Sequence, residues 1–331
     1  MSASHATYPP RLVQGAHLRV VAPSRSLSFI TPSVRDRATQ FLKSHGMHVS
    51  FGRHAAEMDS FQSTSVAARV SDLHEAFLDD SVTVILSAIG GYNSNQLLRH
   101  INFTLIERHP KIICGFSDTT TLTNSILAQA GLVTYSGPHF STWGMKYGLE
   151  FSAENFLTCC MGSEPFELLA SPEWSDDDWY IDQENRKWLP NEGYWVLNPG
   201  VAHGRLVGGH CRSLNALQGS DYWPSLLGSI VCLEETADIT PRHFDRQLQS
   251  LILQPDFEGV RGVLIGRFQA ASGMSRSILK RIVANKAELK GIPVVANLGF
   301  GHTSPIVTLP IGGEARIIAE DDTPRIWIDK H

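Results

Sequence analysis

The chain has 331 residues, 42% of them hydrophobic and 18% charged, with a formal net charge of −5. This composition excludes a disordered chain, and the length suits two domains better than a single core. There is no basic run to match a nucleic-acid polymer and no apolar stretch long enough to span a bilayer, so neither a polynucleotide nor a membrane is an expected partner.

HLRVVAPS (17–24) reads as a strand ending in a Pro-Ser turn. TPSVRDRATQFLKSHG (31–46) reads as a helix, with Thr31 as cap, Pro32 at the first helical position and Gly46 closing it. MHVSFG (47–52) is a second strand, VAARVSDLHEAFLDD (66–80) a helix and VTVILSAIGG (82–91) a strand. SNQLLRHIN (94–102) is a helix, KIICGF (111–116) a strand and DTTTLTNSILAQAG (118–131) a helix. The strand runs are nearly continuous in apolar residues, and the order is βαβαβαβα. That pattern predicts an α/β fold built on a parallel sheet buried on both faces.

The stretch from about 165 to 203 breaks the pattern, being rich in Trp, Asp, Asn and Pro with no sustained period. It is expected to be a long loop between domains, and long loops in compact proteins tend to be functional. Trp174, Trp179 and Trp188 fall inside it and Trp195 lies near its end. So much aromatic surface on a loop suggests that it covers something.

GRLVGGH (204–210) restarts the alternation, followed by a short helix near 212–218 and the strand SIVCLEET (229–236). TPRHFDRQLQSLILQ (240–254) is a helix capped by Thr240, with Pro241 in its first turn and Phe244, Leu248, Leu251 and Ile252 on one face. RGVLIGRF (261–268), IPVVANLGFG (292–301) and TLPIGGEARII (308–318) supply further strands. The expected organisation is an N-terminal α/β domain over 1–165, a Trp-rich interdomain loop over 166–203 and a strand-rich C-terminal α/β domain over 204–331.

The chain begins without the cationic and apolar pattern of an export signal, so a cytoplasmic location is expected. Its five cysteines, Cys114, Cys159, Cys160, Cys211 and Cys232, are odd in number and partly set in strand-like runs. Reduced, buried thiols are the expectation, and adjacent Cys159 and Cys160 lack metal-ligand spacing.

Four segments carry candidate chemistry. In KIICGFSDTTTLTNSIL a buried strand runs through Gly115 to Ser117 and into a helix. Such a turn displays a hydroxyl at the carboxyl end of a sheet and at the positive end of a helix, although the sequence is not G-x-S-x-G. The competing reading is that Ser117 only caps the helix. In LSAIGGYNSNQLL, Gly90 and Gly91 let the backbone approach a ligand and suit an oxyanion hole, or simply make a strand-to-helix turn. Glu234 and Glu235 end an apolar strand, where a carboxylate can orient an imidazole or merely be solvated. His302, in VVANLGFGHTSP, is displayed on a Gly-rich loop as a general base would be. The other histidines of the 14, among them His139, His203, His210 and His243, carry no such signal, and no HExxH or similar ligand pair supports a metal.

Taken together, GFSD, IGGYNSNQLL, LEE and GFGH occur in the order and at the separations seen in the LD-carboxypeptidase-like serine peptidases, which the chain resembles from VVAPS to GFGHTSP. The resemblance implies a Ser–Glu–His triad of Ser117, Glu234 and His302, with Glu235 as the reserve for Glu234. It implies an oxyanion hole from the backbone amides of Gly91 and Asp118, a site in the cleft between two domains, no metal or cofactor, and a homodimer. One branch of the family trims murein tetrapeptides at an L–D bond. A second, the microcin C immunity branch, cleaves the amide joining an aminoacyl group to a nucleotide. WSDDDWYIDQENRKWLPN resembles the longer loop of that second branch, which makes an aminoacyl- or peptidyl-nucleotide the expected small-molecule partner. Gly90, Trp179 and Trp174 are the expected substrate contacts, with Trp179 foremost for stacking on a base. The family pattern Gly-Gly-Asn is replaced here by Gly208, Gly209 and His210.

Overall fold

The computed structural model describes residues 6–331. Its first half follows the expected alternation: β1 His17–Val21, α1 Pro32–Ser44, β2 His48–Phe51, α2 Val66–Leu78, β3 Val82–Ser87, α3 Phe103–Arg108, β4 Ile112–Cys114, α4 Thr119–Ala130, β5 Thr134–Ser136 and α5 Glu150–Met161. Helix α1 starts on Pro32 and buries Val34, Ala38 and Leu42, one residue per turn of a single face. Helix α2 is capped by Ser65, whose hydroxyl accepts from the Ala68 amide, and α4 ends on Gly131 in the left-handed region. Along the strands, Leu18, Val20, Val84 and Leu86 pack into one apolar cluster, while Val21 and Ile85 pack into another on the opposite face. Both faces are therefore covered, as continuous apolar strands require.

The second half contains β6 Phe166–Glu167, β7 Glu173–Trp174, β8 Leu189–Pro190, β9 Trp195–Asn198, β10 Gly200–His210, α6 Cys211–Asn215, β11 Ser229–Glu234, α7 Pro241–Ile252, β12 Gly262–Gly266, α8 Arg276–Ala284, β13 Val294–Leu298, β14 Leu309–Ile311, β15 Glu314–Ala319 and β16 Arg325–Lys330. The first sheet has the order β14-β5-β4-β3-β1-β2, parallel except where β14 pairs antiparallel with β5. The second has the order β6-β16-β15-β10-β11-β12-β13-β9, with a parallel centre from β10 to β13 and antiparallel flanks. The protein is thus an α/β molecule with an N-terminal, mostly parallel sheet and a C-terminal mixed sheet.

The stretch expected to be a structureless interdomain loop is more ordered than that. Within it β6 and β9 are edge strands of the second sheet, β7 and β8 form their own hairpin, and β10 already begins at Gly200 rather than at 204. The run 308–318 is not one strand. Gly312, at φ +97°, breaks it, so that β14 crosses to the first sheet and β15 stays in the second. The helix expected over 94–102 is a 3-10 turn, Ser94–His100.

Helix α4 joins the two units. Thr119, Thr120, Thr121, Thr123, Asn124 and Ser125 are all buried, an unusual load of polar side chains for one helix. Asn124 accepts from the Gly208 amide at 3.0 Å and donates to the Gly208 carbonyl at 2.9 Å, and Thr120 accepts from the His210 amide at 2.9 Å. These bonds fasten the helix after Ser117 to the end of β10. In the adjacent parallel strand, β11, Glu234 lies opposite His210.

Candidate active site

Ser117 occupies the turn from β4 to α4 with φ +61°, in the left-handed region that non-glycine residues seldom adopt. Such a conformation costs about 1–3 kcal/mol and persists only where the surroundings enforce it. Its hydroxyl is not spent as a helix cap: Ser117 Oγ lies 3.1 Å from His302 Nε2. His302 Nδ1 lies 2.7 Å from Glu234 Oε2, and Glu234 is buried at the end of β11. A carboxylate only accepts, so Nδ1 carries the hydrogen and Nε2 is left to accept from the serine hydroxyl. The three side chains singled out in the sequence thus converge from both sheets.

The loop carrying His302 follows β13. Gly301 has φ +101°, and a Cβ there would sit 2.8 Å from Glu234 Cβ and 2.9 Å from its Cδ. Only glycine lets the loop pass so close to the carboxylate. Ser304 and Ser175 exchange backbone hydrogen bonds of 2.8 and 2.7 Å, which tie this loop to the segment bearing Trp179.

Burial pushes the Glu234 carboxyl up, but the charge and hydrogen bond of His302, aided by His210, bring it below its usual value. Glu235 has other partners. Its oxygens accept from the Arg212 amide and Nε, each at 3.1 Å, and Oε2 lies 3.2 Å from His210 Nε2. Of the two glutamates it is Glu234, not Glu235, that contacts His302. Burial draws the His210 imidazole down, yet the Glu235 hydrogen bond and the charges of both glutamates carry it above its ordinary value.

Gly90 packs directly on the serine: a Cβ at that position would lie 2.8 Å from Ser117 Cβ and 2.9 Å from Oγ. The Asp118 carboxylate accepts from Ser24 Oγ at 2.6 Å and from the Ser94 amide at 2.8 Å, which braces the turn against the Gly90–Gly91 loop. Among the described residues the backbone amides of Gly91 and Asp118 have no hydrogen-bond acceptor, and both residues line the cleft.

That cleft encloses about 840 Å³ and is lined by Ser117, Gly90, Gly91, His302, Trp179 and Arg212 among others. Of the expected aromatic contacts, Trp179 lines it and Trp174 does not. Trp174 lies instead on the β7–β8 hairpin beneath the Arg267 guanidinium, whose carbon is 4.9 Å from the ring centre. Trp188 stacks under Arg186 at 4.8 Å, likewise off the cleft wall. His139 and His210, which carried no signal in the sequence, both line the cleft. His139 is stacked on Phe116 at 4.0 Å, and Phe116 in turn meets His302 edge-on at 5.1 Å. Burial, with a smaller push from the His302 charge, lowers His139 to about 3, so it is a neutral wall of the site. No spacing in the sequence could have placed these two histidines: His210 reaches the cleft at the end of β10, and His139 from the turn that follows β5.

Residues 18–137 match the LD-carboxypeptidase N-terminal domain and residues 203–317 match the LD-carboxypeptidase C-terminal domain. The chain belongs to the LD-carboxypeptidase family. The first matched region carries β2 to β5 and nearly all of β1 of the first sheet, the second carries the parallel centre of the second sheet, and Ser117 from the one meets Glu234 and His302 from the other. Among LD-carboxypeptidase relatives, Bacillus subtilis YocD is 49% identical over 324 residues, covering 98% of this chain and 100% of that protein. The crystal structure of an MccF-like protein from Bacillus anthracis superposes with a TM-score of 0.97 at 46% identity, covering 98% of this chain and 100% of the other. The Escherichia coli microcin C7 self-immunity protein MccF is 28% identical over 289 residues, 83% of each chain. MccF in complex with aspartyl sulfamoyl adenosine superposes with a TM-score of 0.87 at 26% identity over 98% of each chain. Among the described residues no helix is long and apolar enough to cross a membrane.

Proposed function

We propose that this protein is a serine carboxypeptidase that hydrolyses the amide bond of aminoacyl-nucleotide compounds through Ser117, His302 and Glu234. The reading rests on one observation, the chain of contacts from Ser117 Oγ to His302 Nε2 at 3.1 Å and from His302 Nδ1 to Glu234 at 2.7 Å. Ser117 Oγ attacks the amide carbonyl while its proton passes to His302 Nε2. Glu234 stabilises the imidazolium that forms. The tetrahedral oxyanion is received by the Gly91 and Asp118 amides, whose hydrogens are not committed elsewhere. Collapse expels the amine, protonated by His302, and leaves an acyl-enzyme. Water, deprotonated by His302, then attacks the ester, releases the carboxylic acid and restores Ser117.

Support for the substrate class comes from the wall of the cleft. Trp179 offers a ring on which an adenine can stack, the volume of about 840 Å³ accommodates an aminoacyl nucleotide, and the related MccF has been seen in complex with aspartyl sulfamoyl adenosine. Turnover of aspartyl sulfamoyl adenosine and of a murein tetrapeptide, measured side by side, tests both parts. Ser117→Ala is expected to lose roughly 10⁴-fold or more in kcat while still binding the nucleotide. Hydrolysis retained by that variant contradicts the mechanism, and preference for the tetrapeptide contradicts the substrate assignment alone.

A further inference from the structure

Of the two arginines that line the cleft, Arg25 has no counter-ion among the described residues, whereas Arg212 has two. Arg212 is held by Glu235 and Asp238, Asp177 by Arg186, and Asp178 by the Tyr180 hydroxyl. Arg25 lines the same cavity as Ser117, and its Nε is shut off from solvent with no hydrogen-bond acceptor. Its guanidinium carbon lies 4.7 Å above the Phe29 ring. A guanidinium with a desolvated N–H and no acceptor is a cost to the folded protein that a ligand anion removes.

Its position is fixed by the fold. Arg25 follows β1 and Gly90–Gly91 follows β3, neighbouring parallel strands at the point where the strand order reverses direction. Ligands of open α/β sheets gather in the crevice outside the carboxyl ends at such a point. The Arg25 amide faces the Gly90 carbonyl at 3.4 Å. Its neighbour Ser24 donates to the Asp118 carboxylate at 2.6 Å and accepts from the Tyr92 amide at 3.1 Å. The root of the Arg25 side chain is therefore braced against both loops that flank Ser117. Arg25 also lies near enough to Tyr180 for its charge to act on that phenol, which places it towards the Trp179–Tyr180 side of the cleft. Arg212 and its carboxylates belong to the other unit, beyond the end of β10.

We infer that Arg25 is the anion-recognition residue of the cleft and grips a phosphate-like or carboxylate group on the leaving-group side of the scissile amide. The assignment of side rests on the proposed reading, in which the leaving group extends towards Trp179. Both candidate leaving groups can carry an anion within a few bonds of the departing nitrogen, as a phosphate in a nucleotide or as the terminal carboxylate of a peptide. In each case a guanidinium fork fits the paired oxygens better than an ammonium does.

Calorimetric binding to the full-length Ser117→Ala protein tests this without consuming any probe, and so independently of whether Ser117 is the nucleophile. Two pairs of probes differ only in charge: adenosine 5′-monophosphate against adenosine, and a tetrapeptide ending in D-alanine against its C-terminal carboxamide. The charged member of at least one pair is expected to bind better, and Arg25→Met is expected to abolish that preference, a loss of roughly tenfold to a hundredfold for the charged probe alone. Arg25→Lys should recover part of it. Loss confined to the first pair assigns a phosphate, and loss confined to the second assigns a carboxylate. Equal weakening of charged and neutral members, or no preference for either charged probe before substitution, overturns the inference.

Discussion

Replacing Glu234 by Gln keeps the volume and removes the charge behind His302. The carboxylate is buried and 2.7 Å from Nδ1, so no solvent replaces it. With an effective dielectric of about 20 and charge centres about 4 Å apart, the attraction for an imidazolium is about 4 kcal/mol. That energy is present when His302 holds the serine proton and absent when it is neutral, so its loss raises the barrier. The expected fall in kcat is roughly a thousandfold, and more if the Gln amide donates to Nδ1 and locks the wrong tautomer. The measurement is kcat on aspartyl sulfamoyl adenosine, with the Kd for adenosine 5′-monophosphate as a check that the cleft is intact. Glu235→Gln is the control. Glu235 holds Arg212 and His210 instead, so its effect on kcat should stay within about tenfold, since only the electrostatic surroundings of the triad change. A fall in kcat below tenfold for Glu234→Gln, or equal falls for both variants, would refute the reasoning.

Two further outcomes are expected. Trp179→Ala should raise KM for adenine-bearing substrates by roughly fivefold to a hundredfold, the value of one base–aromatic stack, with little change for a tetrapeptide; equal effects on both would remove the stacking role. His139 is held at about 3 by burial, against an ordinary 6.5, so the unfolded chain accepts a proton that the folded one refuses. Its depressed value means that stability is full above about pH 6.5 and falls as the pH drops towards 3, by about 1.4 kcal/mol per pH unit. Between pH 7 and pH 5, urea unfolding should cost the parent protein roughly 2 kcal/mol more stability than His139→Gln, and parallel losses would contradict this.

The parts of the molecule that were legible in the sequence are those where local chemistry and global packing agree. Pro32 and Pro241 mark the starts of α1 and α7, Gly131 ends α4, and the apolar runs of β1, β3 and β11 are strands because both their faces are buried. Ser117, Glu234 and His302 each follow a readable strand or close one, but it was the family order of GFSD, IGGYNSNQLL, LEE and GFGH that picked them out from the plainer readings. Elements whose partners are distant were not legible. Strand β9 carries Trp195 and Asn198 and becomes a strand only by pairing with β13. Strand β14 leaves its sequence neighbour β15 for the other sheet. Thr120 and Asn124 of α4 look like part of a solvated face and are in fact in the joint between the two units, because the His210 amide and Gly208 supply their partners. The same limit applied to Trp174, whose fate is set by Arg267, far away in the sequence.

The most direct test of the central claim is covalent. A fluorophosphonate probe should attach once to the intact protein, and peptide mapping should place the adduct on Ser117, whose hydroxyl lies 3.1 Å from His302 Nε2. Labelling should vanish in Ser117→Ala and slow sharply in His302→Ala. An adduct on any other residue, or labelling that persists without Ser117, would contradict the account.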